Sequence, residues 1–168
     1  MPFTPFHFGP GALIKAGLRK HFSFSIFGFT QVIIDLETLY FILKEEFPLH
    51  RTLHTYLGSN IAVLIAVIVG RPVCRTAIKI WNRVTNNLFK LNAEITVASA
   101  FITGIIGAYS HVFLDSIMHT DMRPFYPFSN SNPLFRIIGL RLLHQLCVLS
   151  GLIGIGILTV AYRRKEIE

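Results

Sequence analysis

Charge is scarce in this chain. Only 15% of its 168 residues are Asp, Glu, Lys or Arg and 52% are hydrophobic, where an ordinary soluble domain carries about a quarter charged. A basic nucleic-acid-binding domain would spread a net charge of +7 over a densely polar surface. Here long stretches hold no charge at all, so the expected partner is a lipid bilayer and not a nucleic acid. Cysteine is nearly missing. Cys74 and Cys147 are too few for a disulfide framework, and they fall at opposite ends of the predicted helices, too far apart for a bridge. Internal repeats and low-complexity tracts are lacking too, which leaves one membrane-embedded domain over residues 1–168. No basic residue precedes the first apolar stretch and no small-residue cleavage site follows it, so the N-terminus does not read as a signal peptide.

What the chain does have is four charge-free apolar runs, Phe22–Ile34, Thr55–Gly70, Ile95–Ser110 and Gln145–Tyr162, of 13, 16, 16 and 18 residues. Each falls short of the roughly 20 residues that span a bilayer. Each reaches that length by absorbing ionisable neighbours: Asp35 and Glu37, His54, His111 and Asp115, and His144. The predicted fold is therefore all-α, a small integral-membrane bundle of about four transmembrane helices. A short N-terminal helix should run from about Pro10 to Lys20, following the helix-start signal of Pro10. An interfacial amphipathic helix is expected over Arg75–Asn92, with Ile78, Trp81, Val84, Leu88 and Leu91 opposite Arg75, Lys79, Arg83 and Lys90.

Lys and Arg set the orientation. Eleven of them, from Lys15, Arg19 and Lys20 through Arg71–Lys90 to the tail, fall on one side, and Lys44, Arg51, Arg123, Arg136 and Arg141 on the other. Both termini are thus expected in the cytoplasm, with all three aspartates toward the outer face of a plasma membrane. A hairpin of the N-terminal helix against the first span would bring His7 level with Asp35, since each lies roughly 20 Å from the turn at 1.5 Å per residue.

Histidines and carboxylates gather on that outer side. His50 and His54 are four apart, as are His111 and Asp115, with His119 four further on; this spacing places residues on one helical face. A lone His at a helix end reads as an interfacial residue, but imidazole nitrogens and carboxylate oxygens in conjunction are the donors of a zinc, manganese or iron site. His7, Asp35, His54, His111 and Asp115 are the expected ligands, and His119 and Asp121 are expected to complete a second ion or orient the others. Glu37 and His50 are the candidate catalytic groups. Glu37, two residues beyond Asp35, should face elsewhere and act as general base or as a partner that orients a ligand. Arg123 and Arg141 could clamp an anionic substrate.

The order of these motifs resembles the YdjM-like family of LexA-regulated inner-membrane proteins, which are described as metal-dependent hydrolases. The matching segments are TPFHFGPG with His7, DLE with Asp35 and Glu37, PLHRTLHT with His50 and His54, HVFLD with His111 and Asp115, and HTDMRPFYP with His119, Asp121 and Pro124–Pro127. The likeness spans about residues 3–128. Family members carry a second Asp where Glu37 stands, and a longer turn with its two His five apart. The resemblance implies a membrane metallohydrolase. A more distant likeness to zinc phospholipases C and single-strand nucleases implies phosphodiester substrates, and a site level with the headgroups points to a lipid or lipid-linked phosphoester. The alternative is a non-catalytic membrane protein that binds a metal for structure, sensing or transport.

Overall fold

The computed structural model describes residues 5–86, 88 and 90–164, and no strand occurs among them. Five helices make up the architecture: α1 Phe8–Leu18, α2 Phe24–Leu43, α3 Ser59–Val84, α4 Val97–Met118 and α5 Leu140–Arg163. Helices α2 to α5 are each long and apolar enough to cross a membrane, and the chain is a membrane protein on that ground. The 20 residues of α2 rise about 30 Å, the thickness of a hydrocarbon core.

Two of the helices start where the sequence supplies a side-chain cap. Ser23 accepts from the Ile26 amide ahead of α2, and Thr96 from the Ser99 amide ahead of α4, satisfying donors the first turn leaves unpaired. As expected, α2 absorbs Asp35 and Glu37, α4 absorbs His111 and Asp115, and α5 absorbs His144. The exception is α3, which begins at Ser59 and leaves His54 in the loop before it. The amphipathic stretch also differs from expectation. It is helical only to Val84, and it continues α3 through a π-helical turn at Ala66–Gly70. Pro72 cannot send an N–H back along the helix, and a widened turn just ahead absorbs that loss. Gly70 in this turn meets the Phe29 ring so closely that a Cβ would overlap it.

Helix α4 is the centre of the bundle, with α2 and α3 against it. Small residues permit the approach. Gly107 faces Thr30 of α2 and Gly104 faces Val63 of α3, the usual arrangement where lipid supplies no hydrophobic drive between helices. Leu64, Ile68, Leu152 and Ile155 point outward and are exposed, as lipid-facing residues must be.

The N-terminal helix departs from the expected hairpin. It starts at Phe8, and its main partner is α5 instead of α2, the two running in the same direction. Phe6 stacks on His144 at 4.1 Å, and further along Ala12 meets Gly154. A Cβ on Gly9 would strike the Cys147 carbonyl, and one on Gly154 would strike the α1 backbone at Ala12 and Leu13. Gly9 of α1 and Gly151 and Gly154 of α5 permit this backbone approach, whereas α1 meets α2 through the rings of Phe8 and Phe27.

Candidate metal centre

Helices α2 and α4 end, and α3 and α5 begin, at one end of the bundle, where the loops 44–58 and 119–139 cover them. Neither loop is regular, yet both are firmly held. Glu37 accepts from the Arg51 and Leu53 amides at 3.2 and 3.0 Å, and Asp121 accepts from the Leu49 and His50 amides at 2.9 and 3.2 Å. The Tyr56 amide donates to the Pro124 carbonyl at 2.9 Å and joins the loops. Asn132 donates to the Ser116 and His119 carbonyls and so closes the end of α4.

Within this frame the donor atoms of Asp35, His54, His111 and Asp115 all lie within 4.8 Å of one another, and all four residues are buried. Those of His50, Asp115 and His119 do the same, so Asp115 belongs to both groups. His111 Nε2 lies 3.1 Å from Asp115 Oδ2 and 3.5 Å from Asp35 Oδ1, and His54 Nε2 lies 3.7 Å from Asp115 Oδ2.

The hydrogen bonds on the far side of each ring decide what these nitrogens can do. Gln31 donates its Nε2 to the Gly107 carbonyl at 3.0 Å, which turns its Oε1 toward His111 Nδ1 at 2.7 Å. An acceptor there places the His111 proton on Nδ1 and leaves Nε2 as a lone pair. Glu37 Oε2 does the same to His54 Nδ1 at 3.1 Å, and Asp121 Oδ1 to His50 Nδ1 at 2.9 Å. Three imidazoles are thus each anchored through Nδ1 to an oxygen; His111 Nε2 faces the two aspartates, while His54 Nε2 lies 3.7 Å from Asp115 Oδ2 and 3.3 Å from the Thr38 hydroxyl. Among the described residues His111 Nε2 has no hydrogen-bond partner at an acceptable angle, although two carboxylate oxygens are close. Lone pairs and carboxylate oxygens facing each other at this range repel unless a cation lies between them. The group Asp35, His54, His111 and Asp115 could therefore hold a metal ion, and its donors fit one.

Two groups outside the spans support this charge state. Burial holds His54 below the ordinary histidine range against the pull of Glu37. Burial likewise lowers His119 to about 4, with nearby Asp115 opposing and His50 assisting. Both are neutral at physiological pH, as ligands must be. Burial alone would raise Asp121, yet its bonds to His50 and to the loop amides bring it below the usual carboxylate range.

The expected residues are distributed as follows. His7 lies beside both groups, its Nε2 3.1 Å from Asp115 Oδ1 and its ring 4.6 Å from that of His111. Asp121 falls outside both donor groups, because its oxygens are occupied by His50 and two amides. Glu37 takes the orienting part of its two expected roles, holding His54 and the loop. His50 and His54 meet with ring centres 4.7 Å apart, but through a loop and not a helical face. The helix of His111 and Asp115 stops at Met118, and His119 joins the second group from an extended backbone. Gln31 is the residue that pattern reading missed. A polar residue inside an apolar run, four before Asp35 and so on the same face, was the available signal.

Two clefts of about 390 and 430 Å3 open beside this end. His50, Arg51, Arg123 and Tyr126 line the first, and Asp121, Arg123 and Asn130 the second. Arg51 is occupied by the Pro48 carbonyl and Glu46, whereas Arg123 reaches only Asn130 at 3.4 Å among the hydrogen bonds formed by described residues. Arg141 is exposed at the start of α5 and lines neither cleft. Comparison with protein-family models, curated proteins and solved structures finds no match to this chain.

Proposed function

We propose that the chain is a membrane-embedded, metal-dependent hydrolase acting on a lipid or lipid-linked phosphoester at the outer headgroup level of an inner membrane. The observation that carries this reading is the buried group in which His54 and His111, each anchored through Nδ1, bring Nε2 close to Asp115, and His111 also to Asp35. A divalent ion bound there, zinc on the strength of an imidazole and carboxylate donor set, would lower the pKa of a bound water toward neutrality and polarise a phosphoryl oxygen. The resemblance to YdjM-like proteins supports the same assignment.

The chain's own residues divide the remaining work. Asp35, His54, His111 and Asp115 form the enclosed group, while His50 brings the second group to the cleft wall. Arg123, in both clefts, would take the phosphate of the substrate through charge-assisted hydrogen bonds. Phe47, Tyr126 and Phe128 are exposed around the mouth, giving an amphiphile an apolar approach from the bilayer. Glu37, Asp121 and Gln31 keep the rings in position and in the correct tautomer.

The test is metal content by mass spectrometry on detergent-purified protein, wild type beside His111→Ala and Asp115→Ala, followed by phosphate-ester release from phospholipid vesicles. Stoichiometric metal that falls in both variants, with turnover that falls alongside, is the expected result. Metal-free wild type after metal addition would overturn the reading. The complete burial of the four-residue group favours a second reading, a structural ion. Arg123→Gln separates the two: it should abolish turnover with metal content intact if the centre is catalytic, and change neither if the ion is structural.

A further inference from the structure

A further cleft lies away from the metal centre. It holds about 820 Å3 at the opposite end of the bundle, between the end of α1 and the segment that follows α3. Lys15, Arg19, Lys20, His21 and Lys90 line it, and no carboxylate does so among the described residues. Cationic and protonatable groups gathered around one cavity give it a positive potential that favours an anion.

The walls are built, not incidental. Lys15 Nζ donates to the Arg19 and Phe22 carbonyls, both at 2.7 Å, and ties the turn after α1 to the start of α2. An ammonium has three donors, so one remains beyond these two. Arg19 sits at φ 48, a left-handed value that is costly for a side-chain-bearing residue, and the Lys15 bond to its carbonyl stabilises it there. Across the cleft, Asn82 donates to the Leu91 carbonyl and accepts from the Leu91 amide, both at 2.8 Å. That pair fixes the segment bearing Lys90. Leu18 and Leu91 give the cavity an apolar side.

We propose that this cleft is a binding site for a phosphate-bearing anion, distinct from the metal centre and at the other face of the membrane. A phosphate supplies the charge and the acceptor oxygens for several ammonium and guanidinium donors at once, and the volume suits a headgroup-sized ligand. The phosphate could belong to an anionic lipid or to a soluble phosphate ester.

Native mass spectrometry of the detergent-solubilised full chain with equal phosphatidylglycerol and phosphatidylcholine tests this. The expected result is preferential retention of phosphatidylglycerol or, in a separate titration, saturable binding of glycerol phosphate. Retention of the lipid with no displacement by glycerol phosphate identifies the lipid as source; displacement identifies the soluble ester. Lys20→Gln with Lys90→Gln should weaken binding about tenfold, the scale of one or two charge-assisted bonds, and Lys20→Arg with Lys90→Arg should preserve it. Arg163→Gln with Arg164→Gln removes equal charge at the same end but outside the cleft, and should leave binding unchanged. Equal retention of both lipids without glycerol phosphate binding would overturn the proposal. So would an equal loss in the Arg163 and Arg164 variant, which would mark a diffuse attraction. Metal content is read in every sample and should not move, so the outcome is independent of the hydrolase reading.

Discussion

The two ends of this bundle handle charge in opposite ways. At one end, Asp35, Asp115, His54 and His111 are buried, in contact, and of mixed sign. At the other, Arg19, Lys20, Lys79, Arg83 and Lys90 are exposed and of one sign. Helix-terminal lysines and arginines can reach water and headgroups, so the bonds of Lys15 and Asn82 suffice to position them. Buried ionisable groups tolerate their surroundings only when each finds a partner, and every loop at that end carries bonds that provide one. The lesson is that a shared composition of apolar helices carries an open basic cleft at one end and a buried site of mixed charge at the other. What separates them is pairing.

Asp115→Ala should break this contrast most severely. It removes the carboxylate that lies 3.1 Å from both His7 Nε2 and His111 Nε2 and belongs to both donor groups. Loss of one partner from a buried charged network costs about 3–5 kcal/mol, and bound metal should fall to near zero by mass spectrometry. Gln31→Leu comes next. The helices should remain, judged by circular dichroism, while metal affinity drops about 10–100-fold, as for other groups that orient a ligand. Gln31→Glu keeps an acceptor for His111 Nδ1 and should lose less. Acidification is a subtler probe, read as the melting temperature of metal-free protein. An unfolded His takes its proton near 6.5, but folded His119 resists until about 4, and His54 is displaced the same way. Between these values the unfolded chain binds more protons. The stabilisation is therefore complete above pH 6.5 and lost as the pH falls toward 4. Lys79→Gln at the basic end should do least, shifting stability by no more than about 0.5 kcal/mol and leaving metal content unchanged.

Much of the bundle was legible in the sequence because apolar runs and flanking charges are local signals. The runs around Phe24–Leu43 and Val97–Met118 predicted helices that carry Asp35, His111 and Asp115 inward, and they do. The pairing of α1 with α5 was not legible. It depends on residues 142 positions apart, Gly9 meeting Gly151 and Ala12 meeting Gly154 along one seam, and no periodicity within either helix announces it. His54 was read as the start of a span, yet a carboxylate on another helix holds it in a loop. Asp35 was expected among the ligands and Glu37 as a base or orienting partner, and the two do face different neighbours. The part of Asp121 was out of reach, because the His50 ring and the loop amides that occupy its oxygens lie 71 and 72 residues away.

Asp115 stands in both donor groups, and that has a consequence for how any ion would enter. Occupation of either position would fix the carboxylate in its ionised form and in one rotamer, changing the affinity of the other position. Linkage requires the effect to be reciprocal: whatever factor the first ion lends the second, the second returns. The two positions would then fill as a cooperative or anticooperative pair, and a binding isotherm would depart from two independent hyperbolas.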